Sequence, residues 1–244
     1  MEQNYAFNSF SIVVPVFNEE EIIEESVNNI LSICLRTNLN FEIILSENGS
    51  NDYTKSIAKK ISNKYSEVKL ISSNTPNYGE ALKDGFSRAS NPIIVSFDID
   101  YYSESFLQKV LTLEKKYAAI TASKRMISSN DGRRMIRRIA TNIFVLVLKI
   151  LFKTTLSDTH GMKAVRKEIL DVYIGDVIST QDIFDTELLI RIEKGGHKVK
   201  EIPAVINEIR PSVSVIYKRI PRTLKSLLKL KYIFYKESLK TKNL

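Results

Sequence analysis

The sequence predicts an α/β domain in which a mixed, mostly parallel sheet is flanked by helices, followed by C-terminal amphipathic helices. Two observations lead to this prediction. Short apolar runs alternate along the chain with segments of helical spacing, and turn-forming residues such as those at 48–52 separate them. Parallel strands need a crossover connection, which a helix usually provides, so this alternation predicts a sheet covered on both faces.

The strands are predicted from apolar runs that are too short for core helices. They cover residues 11–17, 41–46, 68–73 and 92–98. The segments between them place apolar residues at helical spacing. These predicted helices cover residues 20–35, 53–65 and 79–89.

Composition bounds the class of protein. The chain has 244 residues, of which 43% are hydrophobic, enough to bury one large core. We expect one domain at residues 1–215 and a basic helical extension at 216–244. The formal net charge of +8 indicates a polyanionic partner, which could be nucleic acid, an anionic membrane or phosphorylated ligands.

Several kinds of site are disfavoured by the sequence. Cys34 is the only cysteine, so no internal disulfide can form and a reducing compartment fits. His160 and His197 lack His or Cys neighbours at ligand spacing, which argues against zinc. Neither a P-loop nor a dinucleotide-binding glycine motif is present. No apolar run reaches the roughly 18–20 residues of a membrane span, so we expect no integral membrane segment.

Polar residues follow the end of each predicted strand. Ligands of open α/β sheets bind beyond the carboxyl ends of the strands, and these ends share one edge of the sheet. We therefore expect the polar residues to converge on one site. They are Asn18, Glu19, Glu47, Asn48, Asn74, Asn77, Asp98 and Asp100.

Asp98 and Asp100 form the most informative pair among them. Side chains alternate along a strand, so the two carboxylates are expected to point the same way and to repel each other unless a cation lies between them. This predicts a divalent metal site. The alternative is that the aspartates cap a helix beginning near Ser103.

Seven segments occur in order between about residue 10 and residue 215. They are VVPVFNEEE at 13–21, EIILSENGSND at 42–52, NYGEALKDGFSRA at 77–89, FDID at 97–100, ASKR at 122–125, SDTHGMKAVRKEIL at 157–170 and FDTELLIRIEKGGHKVKEIP at 184–203. Together they resemble the inverting family 2 glycosyltransferases of GT-A fold, and most closely the dolichol-phosphate or polyprenyl-phosphate mannose synthases.

The resemblance implies a GT-A, Rossmann-like fold and a nucleotide-sugar donor of the GDP-mannose or UDP-glucose type. It implies that Asp98 and Asp100 hold Mg²⁺ or Mn²⁺ on the diphosphate. Asp185 aligns with the acid that serves as base in relatives with hydroxyl acceptors, so we expect it to act in catalysis by positioning sugar or acceptor. The implied donor-site residues are Pro15, Phe17, Glu19, Glu47, Asp98, Ile99 and Asp100.

The acceptor implied by the resemblance is a polyprenyl or dolichyl phosphate. A phosphate is already largely ionised at pH 7, its second pKa being about 6, so no strong base is needed. It does need positive charge, and arginine binds phosphate well. The implied acceptor-phosphate residues are Arg125, Arg134, Arg137, Arg138 and Arg210.

Two departures from the family pattern leave the sugar and the base open. Glu47-Asn48 stands where the family usually has two aspartates. Tyr102 stands where mannose synthases tend to carry a glutamine or similar residue beside the metal.

Several of the implied residues also have a structural interpretation. In the alternative, Pro15 shapes a strand end, Glu19 is an acid favoured by the helix dipole, Glu47 and Arg210 are solvated loop charges, and Asp182 caps a helix.

Two segments suggest contact with a membrane surface. Residues 140–152 are apolar nearly all round, and residues 217–244 carry nine Lys or Arg against one Glu at amphipathic spacing. The alternatives are a buried core helix and a helix docked on the domain. We expect a peripheral enzyme at the cytoplasmic face of a membrane. Such an enzyme could also bind a membrane-protein partner.

One alternative is a glycosyltransferase of the same fold with a non-lipid acceptor. The competing class is a basic nucleic-acid-binding module, which accounts for the sequence pI of about 9.3 and for the Arg and Lys runs. It leaves the acidic strand ends unexplained, because carboxylates repel phosphate unless a metal is present. We therefore expect no nucleic-acid partner.

Overall fold

The computed structural model describes residues 5–126, 129–131, 135–181, 183–206 and 216–242. Strands and helices alternate from the start, as predicted. The strands are β1 (Ser9–Val16), β2 (Asn40–Asn48), β3 (Val68–Ser73), β4 (Ile93–Ser96), β5 (Tyr117–Ser123), β6 (Asn130–Asp131), β7 (Lys163–Arg166), β8 (Lys198–Pro203) and β9 (Val205–Ile206).

The helices lie between these strands and after the last of them. They are α1 (Ile23–Leu35), α2 (Thr54–Lys64), α3 (Tyr78–Arg88), α4 (Glu104–Leu111), α5 (Met135–Phe152), α6 (Lys167–Tyr173), α7 (Phe184–Lys194) and α8 (Ile216–Lys242).

Seven of the described strands form one mixed sheet in the order β3-β2-β1-β4-β7-β5-β8. All neighbouring pairs are parallel except those of β7, which runs antiparallel to both β4 and β5. The predicted fold class, a mostly parallel sheet flanked by helices, is therefore confirmed. The antiparallel insertion of β7 brings a later part of the chain beside β4, where the paired aspartates follow.

Both faces of the sheet are covered, as alternation along β1 shows. Ile12 and Val14 belong to the core on one face, while Val13 packs with Leu82 and Phe86 of α3 on the other. Successive side chains of a strand face opposite sides, so an unbroken apolar run fits a strand buried on both faces.

A third apolar cluster joins α5, α7 and α8. Its buried members are Leu148, Phe152, Ile183, Ile190, Leu227 and Leu230. Ion pairing reinforces it, because both terminal nitrogens of Arg191 on α7 lie 3.1 Å from the carboxylate oxygens of Glu237 on α8. The basic C-terminal helix therefore docks on the domain through one face. Among the described residues, no helix is long and apolar enough to cross a membrane.

Candidate functional site

The paired aspartates lie in a tight turn directly after β4. The Asp98 and Tyr101 backbones exchange two hydrogen bonds, with N–O distances of 3.2 and 3.0 Å. The predicted strand at 92–98 extends past the observed end at Ser96, so the expectation that strand alternation aligns Asp98 and Asp100 is wrong. The turn instead leaves Asp98 half-buried and Asp100 exposed, with Ile99 buried between them.

The helix-capping alternative for these aspartates does not describe the structure. The N-cap of α4 is Ser103, whose hydroxyl accepts a hydrogen bond from the Phe106 backbone N–H at 3.3 Å. A serine in this position satisfies the exposed N–H group that an aspartate would otherwise bind. Asp98 and Asp100 are thus left available to a ligand.

Asp185 joins the site from the first turn of α7. Its Oδ2 lies 3.0 Å from Nζ of Lys163 on β7, and the two side chains are only 5% and 3% exposed. Lys163 on β7 is paired with Ser96 on β4, and Ser96 precedes Asp98 by two residues. Oδ1 of Asp185 is buried and has no hydrogen-bond partner among the described residues. A buried carboxylate oxygen without a donor is unusual and indicates a place for a ligand.

The charges of the site influence one another. Burial raises the pKa of Asp98, and the negative charges of Asp185 and Asp100 raise it further, while Lys163 and Lys124 oppose the shift. Like charges this close disfavour the ionised form of the acid unless a cation compensates them. Burial and the neighbouring carboxylates therefore both disfavour the ionised form of Asp98, an effect that a bound cation would oppose.

Tyr78 closes the site from the start of α3. Its hydroxyl donates a hydrogen bond to Oδ1 of Asp98 at 3.1 Å. Burial, together with the negative charges of Asp98 and Asp185, raises the pKa of Tyr78 well above its ordinary value. The phenol therefore stays protonated and remains a donor at neutral pH.

The loops after β1 and β2 are held together by hydrogen bonds. The Glu19 backbone N–H donates to Oγ1 of Thr54 at 2.7 Å, and the Asn51 N–H donates to Oδ1 of Asn18 at 2.9 Å. Asn18 has a positive φ of 54°, a conformation that asparagine tolerates better than most residues. The predicted convergence of the strand ends on one edge is thus observed for β1 and β2.

The predicted donor-site residues differ in how far their side chains are exposed to solvent. Pro15 is buried in β1 opposite Ser46 of β2, Phe17 is 38% exposed and Glu19 is half-buried. Their contacts with a nucleotide stay predictions.

Glu47 is buried, at 1% exposure, so its interpretation as a solvated loop acid is wrong. Its Oε1 accepts from the Ser50 N–H and its Oε2 from the Ser72 hydroxyl, both at 2.5 Å. The carboxylate thus ties the loop after β2 to β3, and its contact with a nucleotide base stays a prediction.

The arginines proposed for the acceptor are described only in part. Arg125 follows β5 and Arg138 lies on α5, and both are exposed. The backbone of Arg137 belongs to α5, but its side chain lies outside the described residues, as do Arg134 and Arg210 entirely. Asp182, the alternative helix cap, also lies outside them.

The site contains three residues that the sequence did not single out. Tyr78 and Lys163 contact Asp98 and Asp185 directly, and Lys124 adds positive charge near Asp98. A signal existed for Lys163, because it is a lone charge in the segment MKAV, which has strand character. Only the position of that strand in the middle of the sheet makes the lysine a buried partner of the acids.

The residues present fit a divalent cation bound together with a diphosphate. Among the described residues, no group of three or more His, Cys, Asp or Glu side chains could hold a metal by itself. Mg²⁺ is usually bound by one or two carboxylates plus substrate phosphates, and it prefers oxygen ligands. Asp98 and Asp100 supply such carboxylates, and Asp185 adds a further negative charge near Asp98.

In a comparison with known protein families, residues 11–174 match the family described as glycosyl transferase family 2. Glycosyltransferase AglD of Haloferax volcanii is 28% identical over 203 residues, covering 79% of this chain and 32% of that protein. Undecaprenyl-phosphate 4-deoxy-4-formamido-L-arabinose transferase of Proteus mirabilis is 24% identical, covering 68% of this chain and 52% of that protein. The chain thus spans about a third to a half of these relatives.

Solved structures share the fold at low sequence identity. The glucosyl-3-phosphoglycerate synthase of Mycobacterium tuberculosis, in complex with Mn²⁺, UDP and glucosyl-3-phosphoglycerate, superimposes with a TM-score of 0.67 at 20% identity, covering 92% of this chain and 80% of that one. The mannosyltransferase PcManGT of Pyrobaculum calidifontis, in complex with GDP-Man and Mn²⁺, gives a TM-score of 0.62 at 18% identity, covering 90% and 62%.

Proposed function

The chain belongs to glycosyl transferase family 2, and from that premise we propose that it transfers a sugar from a nucleotide-sugar to a polyprenyl or dolichyl phosphate at a membrane surface. The observation that carries the proposal is that Asp98 lies close to Asp100 and to the buried Lys163–Asp185 ion pair, at the edge of the sheet where ligands of this fold class bind. In a nucleic-acid-binding module, such acidic residues would repel the phosphates of the nucleic acid.

The donor in this proposal is a nucleotide-sugar of the GDP-mannose or UDP-glucose type. Asp98 and Asp100 hold Mg²⁺ or Mn²⁺ against the diphosphate, and Pro15, Phe17, Glu19, Glu47 and Ile99 line the nucleotide. Support comes from two structural neighbours, one of which binds UDP with Mn²⁺ and the other GDP-Man with Mn²⁺.

The reaction breaks the bond between the anomeric carbon and the diphosphate oxygen. A phosphate oxygen of the acceptor attacks that carbon from the opposite face, so the electron pair of the broken bond leaves with the diphosphate and the configuration inverts. A divalent ion, when bound, supplies charge compensation for the leaving group that counts more in the transition state than in the ground state.

The charged residues Lys163 and Asp185 have different roles in the proposed reaction. Lys163 pairs with Oδ2 of Asp185 and so fixes this carboxylate beside Asp98. No proton has to be removed from an ionised phosphate, so Asp185 positions the substrate here instead of serving as a strong base.

Exposed arginines are the proposed binding groups for the acceptor phosphate. Arg125 lies in the turn after β5 and Arg138 lies on α5, and both side chains are exposed. Guanidinium groups bind phosphate oxygens in a bidentate manner and so bring two anionic substrates together. Arg134, Arg137 and Arg210 complete the proposed set.

The membrane part of the proposal is supported by apolar side chains that α5 and α8 do not bury. They lie three or four residues apart on each helix and are 43–73% exposed, which places them in one stripe along each helix. They are Met135, Ile139, Ile143, Leu146 and Ile150 on α5, and Leu224, Leu228, Tyr232, Tyr235 and Leu239 on α8.

The charges on these two helices complement an anionic lipid surface. Helix α5 contains no acidic residue, and the one acid of α8, Glu237, pairs with Arg191 of the domain. Lys225, Lys229 and Lys236 are exposed beside the α8 stripe. Basic amphipathic helices lie on membranes in this way. Each helix buries one face and exposes the other, so the core and interfacial interpretations of these segments are compatible.

Transfer of labelled sugar tests the proposal. The purified chain is incubated with Mn²⁺, labelled GDP-mannose or UDP-glucose, and undecaprenyl phosphate or dolichyl phosphate in mixed micelles. We expect organic-extractable label that is lost in Asp98→Asn and Asp100→Asn and retained in Asp84→Asn, which changes an exposed acid of α3. Transfer only to a soluble acceptor such as phosphoglycerate would replace the lipid acceptor, and transfer to neither would refute the proposal.

A further inference from the structure

Tyr78 makes a hydrogen bond to one of the two proposed metal ligands. Its hydroxyl lies 3.1 Å from Oδ1 of Asp98 and is the donor, because a carboxylate can only accept. The ring is partly exposed, at 37%, while the hydroxyl end is directed at the acids, whose charges it senses.

The backbone around Tyr78 is fixed from two sides. The Asn77 N–H donates to Oδ1 of buried Asn48 at 2.5 Å, which ties the start of α3 to the end of β2. The Gly79 N–H donates to the Thr180 carbonyl at 3.0 Å, and a Cβ at position 79 would lie 2.4 Å from the Thr180 backbone. Only glycine permits this close approach.

The segment that contacts Gly79 is itself anchored to α7. Fully buried Glu187 accepts hydrogen bonds from the Ile178 and Ser179 N–H groups at 3.2 and 2.8 Å. The same helix carries Asp185. Tyr78 is therefore placed by a continuous set of short contacts that begins at the acid-bearing helix and ends on Asp98.

We propose that Tyr78 is a positioning residue that orients the Asp98 carboxylate for a divalent cation. This inference rests on the proposed function, because that function makes Asp98 a metal ligand. Carboxylates that bind metals are usually held by a second hydrogen bond from the protein, and loss of such a partner typically weakens metal affinity about 10–100-fold. The tyrosine hydroxyl supplies this bond without adding charge to the site.

Tyr78→Phe removes the hydroxyl and keeps the ring. The measurement is Mn²⁺ binding followed by electron paramagnetic resonance, with GDP or UDP present at saturation, so that no transfer activity is needed. We expect Mn²⁺ affinity about 10–100-fold weaker in Tyr78→Phe.

Tyr65→Phe is the matched control. Its hydroxyl also donates a hydrogen bond to a side-chain oxygen, Oδ1 of Asn28 on α1, at 3.2 Å, but Tyr65 lies outside the proposed site. We expect Tyr65→Phe to bind Mn²⁺ as the unchanged protein does. Thermal unfolding of both variants verifies that each is folded.

The outcomes separate this inference from the function on which it rests. If the unchanged protein binds Mn²⁺ with the nucleotide and Tyr78→Phe binds it equally well, Tyr78 does not position Asp98, although the transferase proposal stands. Tighter binding by Tyr78→Phe would make the hydroxyl a competitor of the metal and would also overturn the inference. Absence of Mn²⁺ binding in the unchanged protein would overturn both the inference and the proposed metal site.

Discussion

Lys163 and Asp185 form a buried ion pair, with Nζ and Oδ2 3.0 Å apart, although they come from an antiparallel strand and a helix about twenty residues apart in the chain. The pair lies beside Asp98, whose pKa both charges influence, Asp185 raising it and Lys163 lowering it. One buried cation, Lys163, therefore partly balances the charges of Asp185 and Asp98.

Lys163→Met tests the importance of this balance for stability. Removing one partner of a buried pair leaves an uncompensated charge, so we expect the free energy of unfolding to fall by about 3–5 kcal/mol. Urea denaturation at pH 7 measures it. Lys167→Met is the control, because Lys167 pairs with half-exposed Asp171 at the helix surface and should cost at most about 1 kcal/mol. Equal losses in the two variants would contradict the prediction.

Arg125→Gln and Arg138→Gln test the acceptor site. A hydrogen bond to a charged group contributes about 1.5–3 kcal/mol, so we expect each change to raise the KM for the lipid phosphate roughly tenfold or more. The KM for the nucleotide-sugar should stay the same. Steady-state kinetics with each substrate varied in turn distinguishes the two effects. A rise in the KM for the nucleotide-sugar alone would show that these arginines act in the donor site and not in the acceptor site.

Ile143→Glu and Leu228→Glu test the two apolar stripes. Both side chains are about 60% exposed, so a glutamate can be accommodated without disturbing the core, while its charge opposes contact with anionic lipid. We expect binding to vesicles of phosphatidylcholine and phosphatidylglycerol to fall at least several-fold in a flotation assay.

Leu35→Glu provides the matched control, because Leu35 is an exposed leucine at the end of α1. It should float with vesicles as the unchanged protein does. If all three variants bind equally well, the stripes do not face the membrane. If the stripes instead join two copies of the chain, Ile143→Glu would shift the mass in light scattering.

Glu42 gives a prediction on pH. Although burial opposes ionisation, hydrogen bonds from Lys69, Ser11 and Ser90 lower its pKa from 4.5 to about 2. A lowered folded-state pKa stabilises the protein above the unfolded-state value, and this stabilisation is lost as the pH falls from about 4.5 to about 2.

We expect Glu42→Gln to be on the order of 2 kcal/mol less stable than the unchanged protein at pH 7, and the difference to shrink towards pH 2. Urea denaturation at several pH values measures it. Glu25→Gln, at an exposed position of α1, should show little difference at any pH. A gap between Glu42→Gln and the unchanged protein that stays constant with pH would contradict the assigned cause.

Local sequence patterns were sufficient to predict some residues of the site but not the others. The position of Asp98 after a buried strand follows from the run of apolar residues before it, and the strand ends converge because parallel strands share their direction. Tyr78 had no distinguishing pattern, because its importance depends on contacts of Gly79 with Thr180 and of its own hydroxyl with Asp98, both remote in sequence. Glu47 was predicted to bind the donor, with a solvated loop acid as the alternative. The alternative is wrong because Glu47 is buried in β2, where it accepts hydrogen bonds from Ser50 and Ser72.

The sequence alone determined the alternation of strands and helices, the placement of Asp98 and Asp100 at a strand end, and the basic amphipathic character of α8. These features depend on periodicity and on neighbouring residues. Tertiary structure decided that β7 lies antiparallel between β4 and β5, that Lys163 consequently meets Asp185, and that Tyr78 meets Asp98. Strand order in a sheet depends on the packing of all the elements together, and no local pattern of residues encodes it.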